Sequence, residues 1–163
     1  MITSFEPVVD EKCKILILGS MPSVKSLEKQ QYYGNKRNHF WQIIYRLFGR
    51  EMEEDYDKRK AFLLEHNIAV WDVLKSCDRE GSSDSKIINP VPNDFVVFFN
   101  QYTNIKAVFF NGSKAEQLFN KLVLAKYSVR EGLIFYRLPS TSPANMMLLS
   151  DKLRHWQIIL NYI

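Results

Sequence analysis

The sequence predicts an α/β fold: a three-layer α/β/α sandwich with a mostly parallel four-stranded sheet. Two observations predict it. Four short runs are rich in apolar, β-branched and aromatic residues, and segments with helical spacing lie between them. Strands that alternate with helices typically form a parallel sheet covered by helices on both faces. With 163 residues, of which 46% are hydrophobic, the chain can bury a core, and we expect one domain, residues 1–163.

The four predicted strands are residues 14–18, 68–74, 107–110 and 133–138. The first and third runs are almost entirely apolar, as expected for strands that are buried on both faces. The polar segment 78–93 is the longest predicted loop. It is too short to be a domain linker, so it does not divide the chain.

Five segments are predicted to be helical: residues 40–48, 58–66, 94–102, 113–124 and 150–162. After Asn38, the apolar residues Phe40, Ile43 and Ile44 recur at helical spacing. In the fourth segment the apolar side chains lie on one side, and Ser113 is a residue type that caps helix N-termini.

Composition and motifs exclude several classes of protein. A net charge of +4 permits a polyanionic partner without requiring one. Cys13 and Cys77 form no CxxC pair, which argues against a zinc or redox site and suits a reducing compartment. The chain has neither a signal peptide nor an apolar run long enough to span a bilayer, so we expect a soluble intracellular protein. Without metal-ligand spacing or a nucleotide-binding motif, we expect no metal and no cofactor.

In a parallel sheet, ligands bind beyond the carboxyl ends of the strands. The segments that follow the four predicted strands are rich in Gly, Pro, Ser, Asn or Asp, and we expect them to gather on one rim. They are residues 19–23, 75–85, 111–113 and 139–145. In the first, Gly19 lets the backbone approach a ligand closely, Ser20 and Ser23 offer hydroxyls, and Pro22 stiffens the chain. An ordinary strand-to-loop turn explains the same residues.

Residues 32–41 interleave aromatic and cationic side chains. Nucleic-acid sites use this mixture, because bases stack on aromatic faces and cations such as Lys36 and Arg37 hold phosphates. Other interpretations stay open at single positions. Asn38 can cap the helix that follows, and Phe40 can be part of the core.

Polar residues also stand at the ends of the later strands. Asp72 either caps a neighbouring turn or reads a hydrogen-bonding edge of a ligand. Asn111, Gly112 and Ser113 mark a strand-to-helix junction, where free N–H groups can bind a phosphate, although a turn and a helix cap explain them equally well. The short, rigid segment 139–145 can grip phosphates through hydroxyl and N–H groups, or can simply connect two elements.

Taken in order, these segments resemble the uracil-DNA glycosylase superfamily. GSMPS at residues 19–23 and YGNKRNHFW at residues 33–41 are closest to the hypoxanthine-DNA glycosylase family. AVWDVLKSCDREGSSDSKI, VFFNGSKA and RLPSTSPAN are similar to its later motifs, so the resemblance spans residue 15 to about residue 156. The mismatch-specific uracil glycosylases are also similar, with a first motif G-I-N-P-G followed by N-x-F-W.

The sequence departs from the superfamily pattern at two positions. Met21 stands where the related first motif has a water-positioning Asn, and Leu138 stands where a His commonly stabilises the departing base. The resemblance to the hypoxanthine family implies that Asn38 positions the water instead. Leaving-group help would come from backbone N–H groups or from elsewhere. Asp72 falls near the residue that reads the base, but an ionised carboxylate only accepts hydrogen bonds and is unfavourable beside the O6 of hypoxanthine.

The resemblance implies a monofunctional DNA glycosylase that flips a deaminated base out of DNA and hydrolyses its N-glycosidic bond. Hypoxanthine is the expected base, with uracil or xanthine also possible, and the product is an abasic site in base excision repair. The expected base pocket comprises Gly19, Ser20, Met21, Pro22, Ser23, Phe40, Asp72 and Asn111, with Phe40 stacking on the base. The expected DNA contacts are Lys36, Arg37, Gly112, Ser113, Lys114, Ser140, Thr141, Ser142, Pro143 and Asn145, and the loop to Asn145 wedges into the groove.

The expected partner is DNA containing deaminated bases. We expect a monomer without metal, cofactor or membrane, which is cytoplasmic and, in a prokaryote, associated with the nucleoid. Two other functions stay open at this point. One is a module that binds lesions without chemistry, because both customary catalytic positions carry apolar residues. The other is a small-molecule hydrolase with Ser20 as nucleophile, although the chain lacks a convincing His and acid partner for it.

Overall fold

The computed structural model describes all residues from 1 to 163. Its strands, numbered in chain order, are β1 (Ile2–Thr3), β2 (Ile15–Gly19), β3 (Ile68–Asp72), β4 (Leu74–Asp78), β5 (Ile88–Pro92), β6 (Ala107–Asn111) and β7 (Ile134–Leu138). Its α-helices are α1 (Val24–Lys29), α2 (Phe40–Leu47), α3 (Tyr56–Glu65), α4 (Phe95–Gln101), α5 (Ser113–Phe119) and α6 (Leu149–Trp156). None of them combines the length and the hydropathy that a bilayer crossing requires.

The predicted parallel sheet is confirmed. It has four strands in the order β3-β2-β6-β7, and every neighbouring pair is parallel. Alternate residues of its strands enter two separate apolar clusters: Leu16 and Leu18 pack on one face, and Ile15 and Ile17 on the other. Helices α4 and α5 cover the first face, while α2, α3 and α6 cover the second. This is the predicted three-layer sandwich.

The region after β3 differs from the prediction. The expected strand 68–74 ends at Asp72, and Leu74 begins β4, which pairs with β1 and β5 in a second, antiparallel sheet. The segment 78–93, predicted to be a loop, therefore contains β5 and a 3-10 turn at Asp84–Lys86. Strand β5 reads INPVP, and its two prolines and exposed side chains hide the alternation that marks a strand.

Two helix starts also differ. Ser113 was expected to cap α5, but it is the first residue of that helix, and Gly112 takes the cap position with φ +95°. A glycine suits this left-handed backbone, and a Cβ there would lie 3.0 Å from the Cβ of Ser140. Helix α1 follows the first rim segment and was not predicted, because it has only six residues. Its cap, Ser23, accepts a hydrogen bond from the N–H of Ser26 at 3.2 Å.

Candidate active site

The carboxyl ends of the four parallel strands meet at one edge of the sheet, where a cavity of about 540 Å³ opens. We call it the rim cavity. Segments that follow all four strands contribute to its wall, which confirms that they gather on one rim. The expected base-pocket and catalytic residues that line it are Gly19, Ser20, Met21, Pro22, Ser23, Asn38, Asp72 and Asn111. Of the expected DNA contacts, Ser140, Thr141, Ser142 and Pro143 line it, whereas Lys36, Arg37, Gly112, Ser113, Lys114 and Asn145 lie outside.

The floor of the cavity is formed by Gly19, Asp72 and Tyr33, which lie in close contact. Gly19 and Asp72 are paired across β2 and β3. A Cβ on residue 19 would lie 2.5 Å from Oδ1 of Asp72 and 3.1 Å from the Tyr33 hydroxyl. A side chain at residue 19 would clash with these two polar groups, so this position requires glycine.

Asp72 is a buried carboxyl without a counter-ion. It is 3% exposed, and its Oδ2 atom has no hydrogen-bond partner. Burial raises its pKa to about 7, and the negative charge of Asp84 contributes further. At neutral pH the protonated and ionised forms of Asp72 therefore coexist, and the protonated carboxyl offers both a donor and an acceptor. An ionised Asp72 only accepts, so it is the protonated form that can also donate to a carbonyl.

The expected stacking residue, Phe40, does not reach the cavity. Its side chain is fully buried, and the ring of Tyr33 covers it with ring centroids 4.0 Å apart and an interplanar angle of 21°. Tyr33 instead lines the cavity, and its hydroxyl is buried without a hydrogen-bond partner. The backbone of Tyr33 has φ +53°, an uncommon conformation for a bulky residue that accumulates at functional sites. Two tyrosines, Tyr32 and Tyr33, thus line the cavity, and Phe40 packs behind the ring of Tyr33.

Asn38 both supports α2 and lines the cavity. Its Oδ1 atom accepts a hydrogen bond from the N–H of Phe40, the first residue of α2, at 2.9 Å. The cap position of α2 is His39, so Asn38 is not the helix cap; it makes a turn one residue earlier and lines the cavity. Because the oxygen must face this N–H, the amide nitrogen is the group that remains to contact a ligand.

The 139–145 loop is held by its own hydrogen bonds. The hydroxyls of Ser140 and Ser142 accept from the N–H groups of Ser142 and Ala144, both at 3.1 Å. The Asn145 side chain donates to the carbonyl of Ser140 at 2.9 Å. The loop is thereby rigid, and its serines still line the cavity.

Thr141 was expected to contact DNA, but it anchors this loop to β6 and does not offer a free hydroxyl for a phosphate. Its side chain is completely buried. The amide of Asn111 donates to the Thr141 hydroxyl at 2.9 Å and accepts from the Thr141 N–H at 2.9 Å. Asn111, expected in the base pocket, therefore uses both polar atoms of its amide on the loop, although it lines the cavity.

A buried lysine beneath the loop was not predicted. Lys152 of α6 is fully buried, and its Nζ lies 3.2 Å from Nδ1 of His39 and 3.3 Å from the carbonyl of Ser142. Burial lowers the pKa of Lys152. An ammonium group only donates, so His39 Nδ1 accepts and the imidazole is neutral. Burial and the charge of Lys152 both lower the pKa of His39.

The segment after β4 forms another wall of the cavity. The Ser20 hydroxyl donates to Oδ1 of Asp84 at 2.7 Å, and Arg79 donates to the carbonyl of Pro22 at 2.6 Å. Ser82 accepts from the N–H of Val24 at 2.9 Å. The sequence placed residues 75–85 on the rim, but it singled out none of their side chains.

Cationic and apolar side chains are exposed on segments adjacent in sequence to residues that line the cavity. Lys36 and Arg37 are exposed on the segment that leads to Asn38. Directly after the 139–145 loop, Met146 is 90% exposed and Leu148 is 68% exposed. Large apolar side chains presented beside a polar loop are typical of surfaces that bind a partner.

Comparison with known proteins identifies the family of this chain. The sequence model described as the uracil DNA glycosylase superfamily matches residues 6–163. A protein of Methanosarcina acetivorans named hypoxanthine DNA glycosylase is 36% identical over 159 residues, covering 97% of both chains. One of the same name from Methanosarcina barkeri is 40% identical over 112 residues, 68% of this chain and 71% of that protein.

A solved structure agrees. A solution NMR structure of a candidate uracil DNA glycosylase from Methanosarcina acetivorans aligns with a TM-score of 0.82 and 36% identity, covering 96% of this chain and 94% of that one. The fold, the order of the motifs along the rim and the relatives therefore lead to one conclusion. This chain belongs to the uracil-DNA glycosylase superfamily.

Proposed function

We propose that the chain is a monofunctional DNA glycosylase that removes hypoxanthine from DNA and leaves an abasic site. The observation that carries the proposal is the rim cavity, which brings a stacking ring, an unpaired carboxyl and a free amide together at one strand edge. The two curated relatives of this chain are named hypoxanthine DNA glycosylases. A cavity of this kind suits an enzyme that must first take the base out of the DNA stack.

In this proposal Asp72 reads the base. Hypoxanthine presents an N1–H donor beside the O6 acceptor. A protonated carboxyl is complementary to this pair, because its carbonyl oxygen accepts from N1–H while its O–H donates to O6. The raised pKa of Asp72, about 7, supports this protonated form. Uracil and xanthine carry the same arrangement of N–H beside C=O, so they are the secondary substrates to test.

Tyr33 and Asn38 contact the two reacting groups, the flipped base and the attacking water. The flipped base stacks on the Tyr33 ring, which Phe40 holds in place from behind. The amide nitrogen of Asn38 donates a hydrogen bond to the water that attacks C1′ of the deoxyribose, since the amide oxygen already bonds to Phe40. Met21 and Leu138 are 7% and 5% exposed core residues, so they add packing and no polar group to the chemistry.

The DNA backbone is held at the mouth of the cavity. Lys36, Arg37 and Lys114 contact phosphates, an interaction that makes binding sensitive to salt. Met146 and Leu148 enter the duplex in the place of the flipped nucleotide, because apolar wedges stabilise unstacked steps. The rigid 139–145 loop fixes the position of this wedge relative to the floor.

The test is excision from labelled duplexes that contain a single inosine, uracil or xanthine, with alkali to reveal abasic sites. We expect release of hypoxanthine by the wild-type protein, also in the presence of EDTA. Asn38→Ala should reduce the rate by about 10²–10³-fold, the usual effect of removing one transition-state contact, while inosine-containing DNA still binds. Asn120→Ala, at an exposed asparagine outside the cavity, is the matched control and should behave as wild type. If the wild-type protein binds these duplexes but releases no base, the chain is a lesion-binding module instead.

A further inference from the structure

The reaction needs an acceptor for a proton of the attacking water, and Asn38 does not supply it. Its Oδ1 atom, which accepts from the N–H of Phe40, can accept a further hydrogen bond, but an amide oxygen is too weakly basic to take a proton, and the amide nitrogen only donates. A water held by this amide still has to lose a proton as it bonds to carbon. The following inference rests on the proposed glycosylase function.

A second carboxyl faces the same cavity. Asp84 is exposed, and it lines the cavity together with Asn38 and Asp72. The Ser20 hydroxyl donates to its Oδ1 atom at 2.7 Å, and Asp84 takes part in no salt bridge. Its carboxylate is therefore fixed at the first rim segment, with lone pairs left to accept from a ligand.

The loop that carries Asp84 is held against the first rim segment at several points. Arg79 donates to the carbonyl of Pro22, and the hydroxyl of Ser82 accepts from the N–H of Val24. Both contacts lie on one side of the Ser20–Asp84 bond: they come before Asp84 on its loop and after Ser20 along the facing segment. These contacts hold the Asp84 carboxylate at the wall of the cavity, and general base catalysis requires a positioned base.

The two carboxyls of the cavity have different environments. Asp72 is buried, and the charge of Asp84 helps to raise the pKa of Asp72, while Arg79 acts in the opposite direction. Asp84 is exposed and accepts from the Ser20 hydroxyl. Pairs of carboxyls whose environments differ in this way commonly divide acid and base roles between them.

We infer that Asp84 is a catalytic residue that accepts the proton of the attacking water and stabilises the positive charge that develops on the deoxyribose. The water oxygen bonds to C1′ while the C1′–N bond to the base breaks, and the electron pair of that bond leaves with the base. One proton of the water passes to the Asp84 carboxylate, which later releases it to solvent. The departing base takes a proton from solvent.

The experiment measures single-turnover excision of hypoxanthine against pH for wild type, Asp84→Asn, Ser20→Ala and Glu80→Gln. Asp84→Asn keeps an acceptor for the Ser20 hydroxyl but removes the base, so the rate should fall about 10²–10⁴-fold, the range of general base catalysis. The acidic limb of the wild-type pH profile should disappear with it. Affinity for inosine-containing duplex should stay the same or increase, because a negative charge is lost.

The other two variants separate chemistry from loop structure. Ser20→Ala frees the loop but keeps the carboxylate, so it should lose less activity and retain the acidic limb. Glu80→Gln removes the same charge from the same segment at an exposed residue outside the cavity, and should match wild type. If wild type is active and Asp84→Asn stays within about threefold of it, the inference is wrong while the proposed function stands. If wild type releases no base, both are wrong.

Discussion

In the floor of the rim cavity, Oδ2 of Asp72 and the hydroxyl of Tyr33 are buried without partners. In the 139–145 loop, at the mouth of the same cavity, the buried Thr141 is bonded twice to Asn111. Unpaired buried polar groups cost stability, whereas paired ones help to fix a conformation. The floor thus holds unpaired groups that are available to a ligand, whereas the loop maintains its shape.

Among the substitutions in the floor and the loop, the largest effect on excision should follow from filling the floor. In Gly19→Ala the new Cβ would lie 2.5 Å from Asp72 Oδ1, so the carboxyl or the strand must move. We expect excision to fall by about 100-fold, the order of effect of a 1 Å displacement in an active site. Gly49→Ala is the control. Gly49 is exposed with φ +64°, so an alanine strains the backbone there, but its Cβ would have no other atom within 4 Å. It should cost about 1 kcal/mol of stability and leave excision unchanged. Equal activity in Gly19→Ala and wild type would show that the floor is not the reacting site.

The next effect concerns stability and pH. The folded pKa of Asp72, about 7, exceeds its ordinary value of 3.8, so wild type loses stability as the pH rises between these two values. Asp72→Asn does not titrate. Its free energy of unfolding relative to wild type should therefore increase by about 2–4 kcal/mol between pH 4.5 and pH 8, because each pKa unit corresponds to about 1.4 kcal/mol. Urea unfolding at the two pH values measures this difference.

The same variant tests the function of the unpaired carboxyl. Excision by wild type should decline as the pH rises above about 7, where Asp72 loses the proton that pairs with O6. Asp72→Asn should lack this decline. Tyr33→Phe removes the other unpaired polar group of the floor while keeping the ring. It serves as the comparison, and its excision should still decline above about pH 7. A relative stability of Asp72→Asn that does not change with pH would contradict the assignment of Asp72 as a protonated group.

A substitution in the loop should lower the stability of the protein, whereas Asp72→Asn gains stability relative to wild type as the pH rises. Thr141→Val removes a buried hydroxyl that accepts from Asn111 and leaves that amide N–H unpaired. We expect the protein to lose about 1–3 kcal/mol of stability, the cost of leaving a buried donor unsatisfied. Ser142→Ala, at a partly exposed position, should lose less. A Thr141→Val protein as stable as wild type would mean that this pairing does not hold the loop.

The sequence predicted the parallel sheet and the rim well, because apolar runs and the Gly-rich and Ser-rich segments after them are local signals. It misplaced the stacking ring, since whether Tyr33 or Phe40 faces the cavity depends on packing between β2 and α2. It also missed Asp84 and Lys152. Charged residues in a polar loop or on a helix are usually solvated, and only the tertiary fold brings these two to the cavity and beneath the loop.

The smallest effect should come from the buried lysine beneath the 139–145 loop, which lies next to His39. Lys152→Met removes the charge beside His39 Nδ1, so the pKa of His39 should rise toward its ordinary value, although burial still lowers it. An NMR titration of the imidazole measures the shift, and the nitrogen resonances report whether Nδ1 remains the unprotonated atom. Arg154→Met, on the same helix but exposed and paired with Asp151, is the control that should leave His39 unchanged. An unchanged titration in Lys152→Met would place the ammonium outside contact with His39. A shift would show that the cation buried beneath the loop keeps His39 neutral next to Asn38.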